Sequence, residues 1–389
     1  STSAASDVYK RQGYRIMMRF STEHLRKVFE DADKYENFKK LTYNLNHGID
    51  IYEYDDDGNQ RKVSKHEANK AIRKIIMEVC DITEEDLRSN KRRERALELH
   101  HTEVYELLES DIDFKVDTAF KESEWFNDFV DMRNVKLGDE EEFWSREKVM
   151  LAVAEISGDH HDLTLQYLNE GTAHKIHTKK YGVKIGKDID LILLGRIDFT
   201  ELTDKIAEAF VYKVQELCYT GIYGAATKLP NNSQFVKTGS LSASTKDKFD
   251  TLLEDVGTAN SAEVVIMGTK TALKKLNGLT EVDWRSLSQK EDVAKTGRLG
   301  TYEGTELIEI PQRFAFNDVT KRLIDDKRLL IFAKNQEQFV WFTDKGETQI
   351  YESGTQKGEH ADDFQKYEVQ REMGVEVVLP QYFGQWTLE

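Results

Sequence analysis

The chain has 389 residues, with 55 Lys and Arg against 71 Asp and Glu, for a formal net charge of −16. Its 39% hydrophobic residues, including 19 Phe and 16 Tyr, are enough for one or two packed cores, which excludes wholesale disorder. The acidic balance excludes a surface that grips nucleic acid all over, and no apolar run reaches the roughly 18 to 20 residues of a membrane span.

Cys80 and Cys218 are far apart, so a disulfide framework and a cysteine-based zinc site are also out, and a reducing compartment fits. Residues 1–12 show no period, and 1–19 read as a disordered tail or artefact. Residues 20–142 form a charged, mostly helical region. Ser21, Glu23 and His24 suggest a helix start, and Ile49–Tyr52 a strand that ends at the turn Asp57-Gly58. Ser64 with Glu67 three residues on predicts a capping box. Ala68, Ala71, Ile72, Ile75, Ile76 and Val79 follow at helical spacing. Thr83 is expected to start another helix. The basic run Lys91–Arg95 falls inside it and reads as a solvated face.

Residues 143–197 change character. A strand is expected at 148–156, and Leu163, Leu165 and Tyr167 then alternate with Thr164, Gln166 and Leu168 up to the turn at 169–172. A second alternation runs through Ile176, Tyr181, Val183 and Ile185. This is a long hairpin with a thin apolar side. Two isolated strands are marginal in water, so the hairpin needs support from outside itself.

Asp198 can cap a long helix with Glu201 at the third position. Leu202, Ile206, Phe210, Val214 and Leu217 form its stripe, which ends near Gly221. Residues 198–240 thus form one segment. From 241 to 345 the pattern alternates: a helix over Phe249, Leu252, Leu253 and Val256 closed by Gly257, a buried strand Glu263–Met267, and a helix Thr269–Leu276. Strands follow at Glu306–Ile310, Arg328–Ala333 and Phe339–Phe342. This predicts a compact α/β unit with a mixed sheet. Residues 346–389 return to strands, at Thr348–Tyr351 and Tyr367–Leu379. The fold class is α+β.

The sharpest chemical motif is Asp159-His160-His161-Asp162. Adjacent imidazoles flanked by carboxylates could hold a divalent metal, as in metal-dependent phosphoesterases. Such sites need spaced Asp-x-Asp pairs from other strands, and this chain offers only the turn Asp55-Asp56-Asp57-Gly58. A polar hairpin base or a subunit contact is the simpler reading. Gly182-Val183-Lys184-Ile185-Gly186-Lys187-Asp188 is one residue short of a phosphate loop and ends in Asp. Gly268-Thr269 could face an anion at a helix start, but a strand-to-helix turn needs the same glycine. Gly297, Gly300 and Gly304 have the wrong spacing for a dinucleotide fingerprint. His100, His101, His174 and His177 lack partner ligands in the sequence. No catalytic, cofactor or metal residue is assigned, and no enzyme activity is expected.

Several segments join this order of elements: Ser157-Gly158-Asp159-His160-His161-Asp162, Tyr181-Gly182-Val183-Lys184-Ile185, Gly195-Arg196-Ile197-Asp198-Phe199, Val265-Ile266-Met267-Gly268-Thr269, Ile310-Pro311-Gln312-Arg313 and Tyr382-Phe383-Gly384-Gln385-Trp386. Together they resemble the major capsid protein of tailed bacteriophages, with the Hong Kong 97 fold. The resemblance implies that the hairpin is an extended E-loop lying across a neighbouring subunit, with Leu163, Leu165, Tyr167, Ile176, Tyr181 and Val183 at the subunit interface. It implies a spine helix in a peripheral domain from Asp198, an axial domain over 241–345, and C-terminal strands 346–389 beside the spine. Residues 20–142 would be an N-arm or partly a scaffolding segment.

The implied function is self-assembly into hexamers and pentamers of an icosahedral head shell around double-stranded DNA. Scaffolding, portal and decoration proteins would be partners, with only weak non-specific contact to DNA and none to membrane. The virion, assembled in the host bacterial cytoplasm, would be its location. An encapsulin-like compartment shell is the alternative within this fold, and a metal-dependent phosphoesterase using Asp159, His160 and His161 is the alternative outside it.

Overall fold

The computed structural model describes residues 20–29, 32–54, 60–122, 124–135, 142–145, 172–186, 190–228, 233–279, 290, 293–295, 297–312, 314–315, 318–334, 338–353, 366–378 and 382–389. In chain order, α1 (Glu23–Val28) and α2 (Ala32–His47) precede the short antiparallel pair β1 (Tyr52–Tyr54) and β2 (Gln60–Lys62). The first strand thus starts at Tyr52, where sequence reading ends it. The Ser64–Glu67 capping box is formed in full at the start of α3 (Lys65–Val79). Thr83 does not open a long helix. Its hydroxyl donates to Asp86 at 2.6 Å, a 3₁₀ turn follows, and α4 begins at Asn90 and runs to Glu122. In the basic run on α4, Arg93 departs from the solvated face: it is buried, donating to the Leu87 carbonyl and to Asn90 Oδ1.

The chain continues through α5 (Glu124–Phe129), β3 (Val130–Val135), β4 (Glu142–Ser145), β5 (Thr172–Lys175), β6 (Lys179–Gly186), α6 (Asp190–Leu193) and the long α7 (Phe199–Lys228). Next come β7 (Val236–Thr238), α8 (Lys246–Asn260), β8 (Val264–Thr269), α9 (Lys270–Lys274), β9 (Thr301–Tyr302), β10 (Thr305–Ile310), β11 (Phe314–Ala315) and β12 (Asp318–Arg322). The last elements are β13 (Arg328–Ala333), β14 (Val340–Ser353), β15 (Lys366–Val377) and β16 (Gly384–Thr387). The two strands expected at 339–342 and 348–351 are one strand, β14. It passes Gly346 at φ +84°, a left-handed conformation that glycine adopts without steric cost.

The contacts divide the chain into two units, and α7, β14 and β15 contribute residues to both. The first unit comprises residues 1–123, 179–213 and 345–373. Its core is aromatic: Tyr35 meets Phe20 and Phe29 edge-on at 4.8 and 5.3 Å between ring centroids, and Phe38 lies 6.0 Å from Phe199. Ile192, Leu193, Phe199 and Tyr367 belong to the same buried cluster as residues of α1 to α4. Residues 20–122 are therefore a packed helical layer and not an extended arm. The apolar stripes of α2, α3 and α4 are buried against the start of the long helix, which an arm reaching away from the subunit would leave in water.

An ionic cluster sits in this unit. Lys115 on α4 is 2% exposed; its Nζ donates to Thr203 Oγ1 at 2.8 Å and lies 3.3 Å from the fully buried Asp111. The other Asp111 oxygen accepts from Thr42 Oγ1 at 2.6 Å. Breaking such a pair from one side leaves an uncompensated buried charge, which costs about 3–5 kcal/mol. Lys115→Met is expected to lower stability by about that amount in denaturant unfolding, and adding Asp111→Asn should recover a large part of it.

The second unit holds the six-stranded mixed sheet in the order β7-β16-β13-β8-β10-β9. β10 runs parallel to β8 (Glu306↔Val265 to Ile310↔Thr269), and β13 pairs antiparallel to β8 on its other side. Every residue of β13 from Leu329 to Ala333 is buried, as its continuous apolar run predicts. α8 covers one face through Phe249, Leu252 and Val256, with the Phe249 ring edge-on to Trp386 at 5.4 Å. α8 is not closed by Gly257: it runs to Asn260, and Ser261 caps it at φ +52°. Trp386 belongs to β16, which pairs antiparallel with β13 and parallel with β7. Residues 384–387 thus complete the α/β sheet, whereas sequence reading places all of 346–389 beside the long helix. Asn260 holds this segment: its Nδ2 donates to the Tyr382 carbonyl at 2.7 Å, and its Oδ1 accepts from the Tyr382 N–H at 3.1 Å.

Candidate assembly interface

The observed two-stranded stem differs from the expected hairpin, in which strands at 163–168 and 176–185 meet at a turn over 169–172. Residues 172–175 are a strand, and its partner lies at 142–145, before the strand expected at 148–156. β4 and β5 pair antiparallel from Glu142↔Lys175 to Ser145↔Thr172, and no third strand joins them among the described residues. Leu163, Leu165, Tyr167 and the run Asp159–Asp162 fall between these strands, outside the described residues, as does the strand expected at 148–156. Of the predicted interface residues, Ile176, Tyr181 and Val183 are described, and all three are half-buried.

These three divide between two supports. Ile176 lies in the second unit, immediately after the stem. A Cβ built on Gly374 would stand 2.7 Å from Ile176 Cγ2 and 2.9 Å from the His177 carbonyl. Only glycine permits that close passage of β15 against the root of the hairpin. Tyr181 and Val183 lie on β6 in the first unit, which pairs with β15 along its whole length from Lys179↔Met373 to Gly186↔Lys366. Lys213 Nζ sits 5.8 Å from the Tyr181 ring centroid, a cation–π contact. On its C-terminal side the unsupported ribbon therefore ends earlier than the alternation suggests, because residues 179–186 pair with β15. The alternation through 181–185 reports pairing within the chain, because a half-buried edge strand and a free arm share the same period of two. Gly374 carries no sequence signal beyond being a glycine within a strand pattern.

Among the described residues, no group of three or more His, Cys, Asp or Glu side chains is placed to hold a metal ion. Burial pushes both thiols up to about 12, and the Glu103 carboxylate adds to the effect at Cys80, so neither is an activated nucleophile. Gly268 is not an anion cradle. A Cβ there would lie 2.7 Å from Leu329 Cδ2, and the fully buried Thr269 caps α9 by accepting from the Ala272 N–H. Gly182 and Gly186 belong to strand β6 and not to a loop. Gly297 and Gly304 adopt φ +81° and +84° as turn residues. His101 and His177 are exposed, and the His100 ring lies tilted beside His24, with centroids 4.9 Å apart, at a kink in α4. Among the described residues, no helix is long and apolar enough to cross a membrane.

Comparison with solved structures returns virus-like shells at low identity. The capsid of a native GTA particle matches with a TM-score of 0.47 at 10% identity, covering 67% of this chain and 88% of that one. The mature capsid of bacteriophage PhiM1 matches with a TM-score of 0.46 at 10% identity, covering 68% and 87%. A virus-like particle from Pyrococcus furiosus matches with a TM-score of 0.41 at 15% identity, covering 73% and 99%. A search of curated proteins finds no match. The profile of one family, described as "SPbeta prophage-derived putative capsid protein YonB", matches residues 37–387, from the second helix of the helical layer to the last strand of the six-stranded sheet. The chain belongs to this YonB capsid-protein family.

Proposed function

We propose that this protein is the major capsid protein of a tailed bacteriophage of the Hong Kong 97 type, assembling into hexamers and pentamers of an icosahedral head shell around double-stranded DNA. The observation that carries the reading is the family match over residues 37–387. The two-stranded stem β4–β5 supports it, since it carries the 146–171 connection without a third strand among the described residues. A pair of strands is marginal alone, and a second copy of the chain can supply what it lacks. Such assembly takes place in the bacterial cytoplasm, and a net charge of −16 per chain disfavours tight adhesion of the shell to packaged DNA. Scaffolding, portal and decoration proteins would be its partners in the shell.

Expression of the full chain and negative-stain imaging test this. Closed shells of uniform diameter are expected, with sedimentation far above that of a monomer. A chain that stays monomeric or dimeric under all assembly conditions would overturn the proposal. Nucleic acid inside particles recovered from infected or induced cells would separate a genome shell from an enzyme-filled compartment.

A further inference from the structure

Helix α4 presents Glu106, Glu109, Asp113 and Asp117 along one face of the first unit, beside residues 347–351 of strand β14. Asp113 accepts from the Thr348 hydroxyl at 2.5 Å and from its backbone N–H at 3.3 Å. Glu109 Oε1 accepts from the Ile350 N–H at 2.6 Å. The spacings fit: residues four apart on a helix rise about 6 Å, and alternate residues on a strand about 6.7 Å. Two carboxylates thus take the place of a neighbouring strand for two backbone donors.

The two carboxylates differ in charge balance. Arg371 on β15, 3% exposed, lies 2.7 Å from Asp113 and 3.6 Å from Asp117. The charges acting on Glu109 are acidic: Asp113 and Glu106 on its own helix, and Glu347 on β14. Other charged groups line the same cleft of about 1000 Å³. On α2, Lys39 is held over the rings of Tyr35 and Phe114 at 4.5 and 4.9 Å, and Lys40 lies 3.7 Å from Glu36. His101 and Lys121, at the two ends of the α4 face, are exposed.

We propose that Glu109 is a pH-graded latch between α4 and β14, closed when its carboxyl is protonated and favouring an open cleft when it is ionised. Burial pushes this carboxyl up to about 7, against the Ile350 N–H that draws it down, and the neighbouring carboxylates add to the rise. The folded chain therefore keeps the proton to about pH 7, while the unfolded chain loses it near 4.5. The stability this group contributes is fully present below about pH 4.5, falls as pH rises towards 7, and is lost above it. The Ile350 N–H alone does not offset the hydration that an ionised Glu109 loses in the cleft, so ionisation favours the side chain turning out to water, which releases that N–H.

The test uses the full chain and Glu109→Gln, which keeps the acceptor and removes the charge. At pH 5 the two proteins are expected to melt together; at pH 8 the variant should melt higher by about 5 °C. Hydrogen exchange of residues 345–353, corrected for intrinsic base catalysis, should lose roughly tenfold protection in the wild type between pH 6 and 8, and none in the variant. Glu106→Gln removes one like charge and should narrow the pH 8 gap without closing it. Wild-type and Glu109→Gln melting curves that stay parallel from pH 5 to 8, or unchanged exchange of 345–353 in the wild type, would overturn the latch.

Discussion

Replacing Leu165 and Tyr167 together with Asp is expected to abolish closed particles while leaving both units folded. The connection from Ser145 to Thr172 alternates apolar and polar residues through Leu163, Leu165 and Tyr167, and among the described residues it springs from a two-stranded stem. A two-stranded ribbon is marginal without outside support, and exposed apolar patches mark partner surfaces. Each side chain buried against a neighbouring subunit contributes about 1.5–3 kcal/mol. Introducing two carboxylates removes that gain and adds the cost of desolvating charge. A shell repeats the contact at every subunit, so a loss of a few kcal/mol per contact is multiplied around the particle. Among the described residues, the buried clusters of both units are built from other side chains, and circular dichroism is expected to be unchanged. Sedimentation and negative-stain imaging provide the readout. Normal shells from the double variant would show that this segment is not an intersubunit arm.

Deleting residues 1–122 is expected to unfold the first unit. Ile192, Leu193, Phe199 and Tyr367 are each no more than 6% exposed, and they are packed with residues of α1 to α4. Stripping the helical layer returns these four side chains to water, at about 1.5–3 kcal/mol each, so about 6–12 kcal/mol in total. That is comparable to the whole stability of a typical domain, about 5–15 kcal/mol. The deletion also leaves Arg371 without Asp113 and Asp117. Soluble expression and the cooperative unfolding transition of this unit should both be lost. The same physics bears on maturation: proteolysis that removed 20–122 would expose this core. The intact mass of subunits from mature particles should therefore retain the helical layer, and a subunit lacking it would contradict the shared core.

Where a signal lies within a few residues, the sequence alone suffices. The Ser64–Glu67 box, the start of the long helix after Asp198, and the buried strands at 264–269 and 328–333 all stand where local pattern places them. Capping and hydrophobic period are set by neighbours in the chain, and no distant partner is needed to read them. The same holds for the mixed α and β character of the chain.

Tertiary packing decided the rest. Gly221 and Gly257 look like helix ends, yet both lie inside helices. A Cβ at Gly221 would stand 3.0 Å from Val377 Cγ2, so the residue is small because a strand passes close to it. A glycine that admits a neighbour and a glycine that ends a helix are the same letter. Strand partners are equally silent in the sequence. Gly384–Thr387 enters the six-stranded sheet between β13 and β7, and Tyr181 and Val183 pair with β15 instead of standing free. The charged N-terminal region becomes a structural layer only because Phe38 meets Phe199 across more than 150 positions of sequence. An alternating or amphipathic pattern records that one face is buried; which distant segment buries it is settled by the packing of the whole chain.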